Sequence, residues 1–466
     1  MGLNGHGGGI YYRYNGFDDI EGSAIFENTI ISGNSTYIYG GGIYLNMSTP
    51  HSCLITGCTL SSNQASQGGG LYGGDENTLV YNTIFENNYA TGYGGGGINK
   101  SNSVFMDCKI RNNTSDGGGG GLYSSWAGSN PQLINCEFSG NIAYGYTGGG
   151  GICLNNCASP KIMGCEFYNN SAMDGKGGGI SLHYHAYSDE EKRGEIINCI
   201  FADNYASEEG GAILFETYCS TEIPFYFINN TITQNSGFDS GGIYSSSELS
   251  VQNSIVYYNS PNDIIGDNGL TTISYCNTTE LMEGEGNMSE LPEFIGNGDF
   301  HLSWNSPCID RGTMLNAPDS DIDGDKRPEG EGIDIGADEF VDSDSQETII
   351  ILTDASPNAT VEADSIAKIY GTNGANNIIV GSGADVELIN FPGENSIIIQ
   401  SQSSFSAYRT GAMIILDGSD GTKIKLPATM TQQSIIINDV EKILAIDSGC
   451  IMINDQIVNL DSVAIE

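Results

Sequence analysis

One phrase recurs nine times between Asn34 and Asn259: Cys or a small polar residue, any residue, a large apolar residue, two residues, then Asn. Successive copies lie 24 to 34 residues apart, ending at Asn34, Asn63, Asn88, Asn113, Asn141, Asn170, Asn204, Asn235 and Asn259. A second phrase, two or more glycines followed by Ile or Leu, interleaves with it at Ile10, Ile43, Leu71, Ile98, Leu122, Ile152, Ile180, Ile213 and Ile243. A fixed period of this size means that each unit packs mainly on its neighbours. The text between turns alternates apolar and polar residues, as in Leu133-Ile134-Asn135-Cys136-Glu137-Phe138. Such runs read as short strands, and no helical spacing survives within the repeat.

About three strands fit in each unit, which is one coil of a parallel β-helix. Coils stacked ~4.8 Å apart place equivalent residues on top of one another, and about nine coils make a rod of roughly 43 Å. The phrase predicts an inward apolar column, with each Asn closing a bend where its amide bonds the backbone and the Asn above and below. Cys108, Cys136, Cys165 and Cys199 share one repeat position and are expected as a column of buried thiols. The same spacing approaches disulfide Cα distances, so cysteine usage leaves the redox compartment open.

Gly numbers 65 against only 12 Pro, without a three-residue period, which excludes collagen and argues against disorder. Acids outnumber bases 58 to 16, for a net charge of -42. That field repels nucleic acid and anionic membrane and attracts cations. No run reaches the ~18 apolar residues of a membrane span. No signal peptide is visible, because Gly7-Gly8-Gly9-Ile10 already belongs to the repeat. We therefore expect a fragment or processed form, or a first coil that stacks on another molecule, with end-to-end self-association as one consequence.

Phe85-Glu-Asn-Asn88, Phe138-Ser-Gly-Asn141, Phe167-Tyr-Asn-Asn170 and Phe201-Ala-Asp-Asn204, each with its Gly-Gly-Ile/Leu partner, resemble the repeats of chlamydial polymorphic outer-membrane proteins and other bacterial surface β-helices. The resemblance covers residues 7 to 276 and implies a right-handed parallel β-helix at a cell surface. The membrane barrel of those proteins has no counterpart in this sequence. Pro292-Glu-Phe294, Asp299-Phe-His-Leu302, Ser306-Pro-Cys-Ile-Asp310, Asp321-Ile-Asp-Gly-Asp-Lys-Arg-Pro328 and Asp334-Ile-Gly-Ala-Asp-Glu339 resemble the choice-of-anchor Q module. That likeness implies an exported protein and a cap on the solenoid.

The expected fold is all-β: a parallel β-helix over 1–276, a cap module over 277–341, a polar linker over 342–347, and a β-sandwich-like domain over 348–466. The last assignment rests on short β-rich runs about ten residues apart, separated by turns such as Asp417-Gly418.

Asp319-Ser-Asp321-Ile-Asp323-Gly324-Asp325 has carboxylates at alternate positions with Gly sixth, the first half of a calcium loop. The twelfth position is Gly330, so Glu331 or Asp334 is expected to supply a further oxygen. A solvated acidic turn, with Arg327 pairing one carboxylate, is the alternative. Tyr44, Tyr72, Tyr123 and Tyr244 each follow the glycine phrase and should point outward, as a broken stripe for a glycan or protein partner or as ordinary surface packing. His183 and His185 share a strand face beside Asp189, Glu190 and Glu191, a pattern open to zinc or base chemistry but more in keeping with a solvated loop. Lys109 and Arg111 should face outward together near Asp107.

Two functions follow. A non-catalytic extracellular rod would bind a glycan or surface protein. A polysaccharide lyase or glycoside hydrolase would use carboxylates and a basic residue on the outer face, although so acidic a chain is poorly suited to gather a polyanion.

Overall fold

The computed structural model describes residues 5–465 except 14–22, 47–51, 75–77, 100–101, 125–129, 158, 185–193, 218–224, 267–270, 297, 342–347, 354–356, 364, 373, 390, 392, 394, 402, 411–412, 428–432, 439, 448–449, 455 and 459–462. The expected linker therefore lies outside the described residues. The chain divides into two compact units, Met1–Phe340 and Val341–Glu466.

In the first unit the solenoid strands pair in parallel with their equivalents on adjacent coils, and Phe294–Gly296 with Asp299–Leu302 forms a separate antiparallel pair. Three ten-stranded sheets result. Sheet 1 runs from Ser23–Glu27 to Thr271–Ser274, sheet 2 from Ile30–Ser32 to Asn277–Thr278, and sheet 3 from Ile10–Arg13 to Ile264–Gly266. A short sheet 4 has six two-residue strands, Gln64–Ala65 to Tyr205–Ala206. The solenoid thus has one more turn than the Asn phrase numbers, because the last coil holds Cys276 but no ladder Asn.

Sheet 2 strands are short because left-handed residues bracket them. Asp107 (φ 53) and Asn112 (φ 54) enclose Lys109–Arg111, and Asn135 (φ 50) and Gly140 (φ 63) enclose Glu137–Ser139. Asn, Asp and Gly adopt this conformation at least cost, so they recur at these bends. Between them the middle residue turns inward: Ile110, Phe138, Phe167 and Phe201 lie in register, all fully buried. The rings of Phe138 and Phe167 stack at 4.7 Å, and those of Phe167 and Phe201 at 4.6 Å.

The asparagine column forms as the phrase predicts. Asn113 donates its backbone N–H (3.0 Å) and its Nδ2 (3.0 Å) to Asn141 Oδ1, while Asn141 Nδ2 donates to the Ile110 carbonyl (2.7 Å). The pattern runs from Asn34 to Asn259, where Asp263 Oδ1 takes both donors of Asn259 and Asp263 Oδ2 takes the Thr279 N–H. A carboxylate suits the end of the row, since it only accepts. A second column lies inside the preceding bend. Cys136 N–H points to Cys165 Sγ and Cys165 N–H to Cys199 Sγ (both 3.4 Å), and Cys199 N–H donates to Asn230 Oδ1 (2.9 Å). These cysteines are free and buried.

One register expectation is corrected. Gly97, not Ile98, pairs with Leu71 and Leu122, and Ile98 aligns with Tyr72 and Tyr123. The left-handed turn residue is Gly94 (φ 68), as Gly119 and Gly149 are in the next two coils. The third residue after it, in register with Leu122 and Ile152, is therefore Gly97, and a one-residue slip sends the next side chain to the opposite face.

Residues 291–340 lie along the side of the solenoid as a brace. Phe300 and Ala337 pack on Ile200 and Ala202, while Leu302, Cys308 and Ile335 pack on Ile255 and Tyr257. Asn229 Nδ2 bonds the Asp334 carbonyl (3.1 Å) and Asn253 Nδ2 the Thr313 carbonyl (2.7 Å). Of the cap expected over 277–341, the stretch 291–340 docks along the side of the solenoid instead of over its end. The cause is compositional: the outward positions of sheet 2 are charged at Lys109, Glu137 and Glu166 but apolar at Ile200 and Ile255. The start of the same expected module does meet the edge of the last coil, with Asn287 Oδ1 accepting the Cys276 N–H (3.0 Å).

The second unit has two seven-stranded sheets around one apolar core, as a sandwich requires. Its first half, however, is coiled: Asn358, Asn377 and Ser396 pair in parallel 19 residues apart, and Asn376 Nδ2 donates to Asn395 Oδ1 (2.7 Å). From Phe405 onward most neighbouring strands pair antiparallel.

Replacing Asn141 with Leu keeps its size but strands the Asn113 donors and the Ile110 carbonyl. Urea unfolding should show a loss of about 3 kcal/mol or more, as expected for several orphaned buried groups. Asn34→Leu, at the less buried end of the row, should cost under about 1 kcal/mol.

Candidate functional site

Where the brace meets the charged stretch of sheet 2, a cleft of about 340 Å³ opens. Glu166, Tyr168 and Ile200 form its floor, and Gly298 to His301, Ile322 and Asp323 form its wall. Strand Asp299–Leu302 alternates, so Phe300 and Leu302 are buried while Asp299 and His301 face away from the core. His301 is clamped between carboxylates: Nδ1 on Asp299 Oδ1 and Nε2 on Asp323 Oδ2, the latter at 2.7 Å. Asp338 joins them, since ligand atoms of His301, Asp323 and Asp338 all lie within 4.8 Å of one another. Asp338 Oδ2 also accepts the Leu302 N–H (2.7 Å).

The electrostatics follow from this crowding. The Asp323 hydrogen bond, with that of Asp299, pushes His301 up to about 10 against the opposing effect of burial. Burial raises Asp338 to about 6. Glu166 is raised by burial first, then by Glu137 beside it on the next coil. Burial also raises Tyr168.

Two coils before Glu166 on the same sheet, Lys109 and Arg111 face outward around buried Ile110, as the alternation predicts. Both are paired. Arg111 Nη2 meets Glu86 Oε2 at 2.9 Å and Lys109 Nζ meets Glu137 Oε2 at 3.4 Å, each across one coil step. Lys161 likewise holds Glu195 at 2.6 Å on sheet 1.

The acidic loop is wired to backbone. Asp321 Oδ1 accepts the N–H groups of Asp323 (2.9 Å) and Asp325 (2.8 Å), and its Oδ2 that of Glu339 (2.9 Å). Arg327 bypasses the loop carboxylates and meets buried Glu339 at 2.7 Å. Asp319 and Glu331 are exposed, and Asp325 is half-buried. Of the five residues expected to share calcium, Asp323 alone belongs to the one group of three or more close ligand atoms among the described residues. Asp334, the other candidate, accepts the Asp310 and Phe340 N–H groups.

The tyrosine stripe is corrected. Tyr44, Tyr72 and Tyr123 leave the interior but are only 9, 5 and 6% exposed. Tyr39 stacks on Tyr72 at 4.2 Å and Tyr93 on Tyr123 at 4.6 Å, so neighbouring turns of chain occupy these ring faces. Tyr244 is half-buried. The stripe continues through Ile98, Cys153, Ser181 and Leu214, residues apolar or small enough to be covered.

His185 and Asp189 to Glu191 lie outside the described residues. His183 does not sit in a solvated loop: its Nε2 is 2.9 Å from Ser181 Oγ and its Nδ1 3.2 Å from Glu216 Oε2. Ser181 is fully buried, so this Ser-His-Glu series offers a substrate no approach. Lys176 Nζ joins at 2.9 Å from Glu216, and the bonds from His183, then Lys176, hold Glu216 down to about 2. A depressed carboxyl stabilises above its unfolded value of 4.5 and loses that contribution as pH falls through about 2. Glu216→Gln should therefore destabilise at pH 7 by on the order of 1–3 kcal/mol. Melting curves of the two proteins should converge as pH drops from 4.5 toward 2.

Sequence reasoning missed His301, Asp338 and Glu166 as members of one site. The signal for half of it was present, since Asp299 and His301 are two apart on a strand. Nothing local brings Asp338, 37 residues on, back beside them.

The chain matches the family described as "Right handed beta helix region" over residues 3–146 and 116–279. No curated protein matches it. Among solved structures, pectate lyase Pel9A is 14% identical with a TM-score of 0.41, over 68% of this chain and 88% of that one. An arginine-to-alanine mutant of the PL6 family alginate lyase AlyGC is 10% identical with a TM-score of 0.21, over 82% of this chain and 68% of that one. Overlapping matches spanning residues 3 to 279, together with ten-stranded parallel sheets closed by an internal asparagine row, make this chain a member of the right-handed β-helix family.

Proposed function

We propose that the exposed stretch of sheet 2, ending at the brace, binds an uncharged, hydroxyl-rich glycan, and that the chain is an extracellular surface protein that binds without cleaving. The observation that carries this reading is the pairing of the sheet 2 cations: Lys109 and Arg111 are each met by a carboxylate of the adjacent coil. Each cation has a carboxylate beside it that would repel a uronate, and the chain as a whole carries a net charge of -42. The pairs Glu86–Arg111 and Lys109–Glu137, on coils ~4.8 Å apart, suit hydroxyls, which donate to the carboxylate and accept from the cation. The likeness of residues 291 to 339 to choice-of-anchor Q modules supports export and surface attachment. Among the described residues no helix is long and apolar enough to cross a membrane.

A second reading has one specific observation in its favour. Glu166, its carboxyl raised by burial and then by Glu137, stands beside a second carboxyl group on the adjacent coil, and glycoside hydrolysis uses two carboxyl groups.

A glycan array probed with the full chain, with and without calcium, tests both. Neutral polysaccharides should be retained and polyuronates should not. Arg111→Ala should weaken retention about tenfold, the loss of one charged hydrogen bond. Retention of polyuronates alone, or of nothing, would overturn the binding reading. Release of reducing ends by the wild type but not by Glu166→Gln would establish the hydrolase.

A further inference from the structure

The cleft wall holds more carboxylate than its one imidazole accounts for. Asp299, Asp323 and Asp338 come from three separated places in the brace and surround His301. Their roles differ. Asp299 bonds Nδ1, the nitrogen away from the group, while Nε2 faces Asp323. A metal-binding histidine is characteristically oriented in this way, with a carboxylate on one nitrogen and the other directed at the ion. Asp338 is only 7% exposed, and Leu302 N–H bonds its Oδ2, which leaves acceptor capacity against His301 and Asp323.

We propose that His301 Nε2, Asp323 and Asp338 form a site for a divalent first-row transition cation, with Asp299 fixing the imidazole. Donors about 2.1 Å from one ion lie up to about 4.2 Å apart. His301 Nε2 and Asp323 Oδ2, now 2.7 Å apart, need only part slightly to admit the ion, and no pair in the group exceeds 4.8 Å. The ion takes the place of the proton that Nε2 shares with Asp323, and that proton leaves to solvent. An imidazole ligand together with carboxylates selects Zn²⁺ or Mn²⁺ over Ca²⁺, which prefers an all-oxygen shell. One nitrogen and two carboxylates leave positions open on the cleft side, where an oxygen of a bound molecule or water completes the shell. The site does not depend on what the cleft binds, so it stands or falls apart from the glycan reading.

The test uses the full chain, stripped with a chelator and dialysed, then titrated calorimetrically with ZnCl₂, MnCl₂ and CaCl₂. One equivalent of Zn²⁺ or Mn²⁺ should bind and raise the melting temperature. His301→Ala and Asp338→Asn should abolish that binding. Asp299→Asn should weaken it about 10–100-fold, the usual effect of losing an orienting partner. Glu331→Gln, an exposed acid outside the group, should leave it unchanged. Metal-free melting curves establish that each variant folds, and Asp323→Asn, on the exposed loop, carries the test if Asp338→Asn does not fold. Absence of binding by both transition ions, binding of Ca²⁺ alone, or undiminished binding in His301→Ala and Asp323→Asn would each overturn the proposal.

Discussion

From Asn34 to Asn235 each coil of the solenoid presents amide donors at the bend after sheet 2, and the Asn of the following coil receives them. Asn88 hands its backbone N–H and Nδ2 to Asn113, Asn113 to Asn141, and Asn141 to Asn170, while each Nδ2 also reaches the carbonyl of a strand one coil back. A buried polar group without a partner costs about 1–3 kcal/mol. The row therefore fixes register, because a slip of one residue would orphan several such groups and also turn Phe138 or Ile110 out of the core. Coil length is free to vary from 24 to 34 residues because the extra chain leaves at loops, away from this row.

Fixed register has a consequence on the outside. Outward positions stack as strictly as inward ones, so a change of residue class along a column becomes a boundary on the surface. On sheet 2 the column passes from Lys109, Glu137 and Glu166 to Ile200, Thr231 and Ile255. The apolar half is covered by the brace, and the charged half is left as a floor. The cleft is the step between the two, and it gathers Glu166 from the solenoid with His301 and Asp323 from the brace.

Charge is managed by pairing across coils. The carboxylates of Glu86, Glu137 and Glu195 each hold a cation from a neighbouring coil, and Glu216 holds Lys176 in a half-buried cluster. Exposed pairs of this kind contribute little to stability. Their effect on recognition is larger, since a cation already neutralised does not recruit an anionic polymer. The unpaired excess of acid remains, and where carboxylates crowd a cleft wall it favours a cation.

Much of this was legible in the residues themselves. Period, strand length, the asparagine and cysteine columns and the outward pair Lys109–Arg111 follow from local chemistry repeated often enough to be read. Repetition averages out local ambiguity, and Gly97–Ile98 shows the limit, since a run of glycines does not itself mark which one takes the left-handed turn and so sets Gly97 in register with Leu71 and Leu122. The 19-residue coils of the second unit recur too few times to stand out from hairpin-like runs. Tertiary structure alone decided three things. It covered Tyr72 and Tyr123 with Tyr39 and Tyr93, laid the brace along the side rather than the end, and brought Asp338 beside His301 and Asp323. Each depends on segments far apart in the chain meeting through apolar contact, and such meetings leave no periodic mark on the sequence.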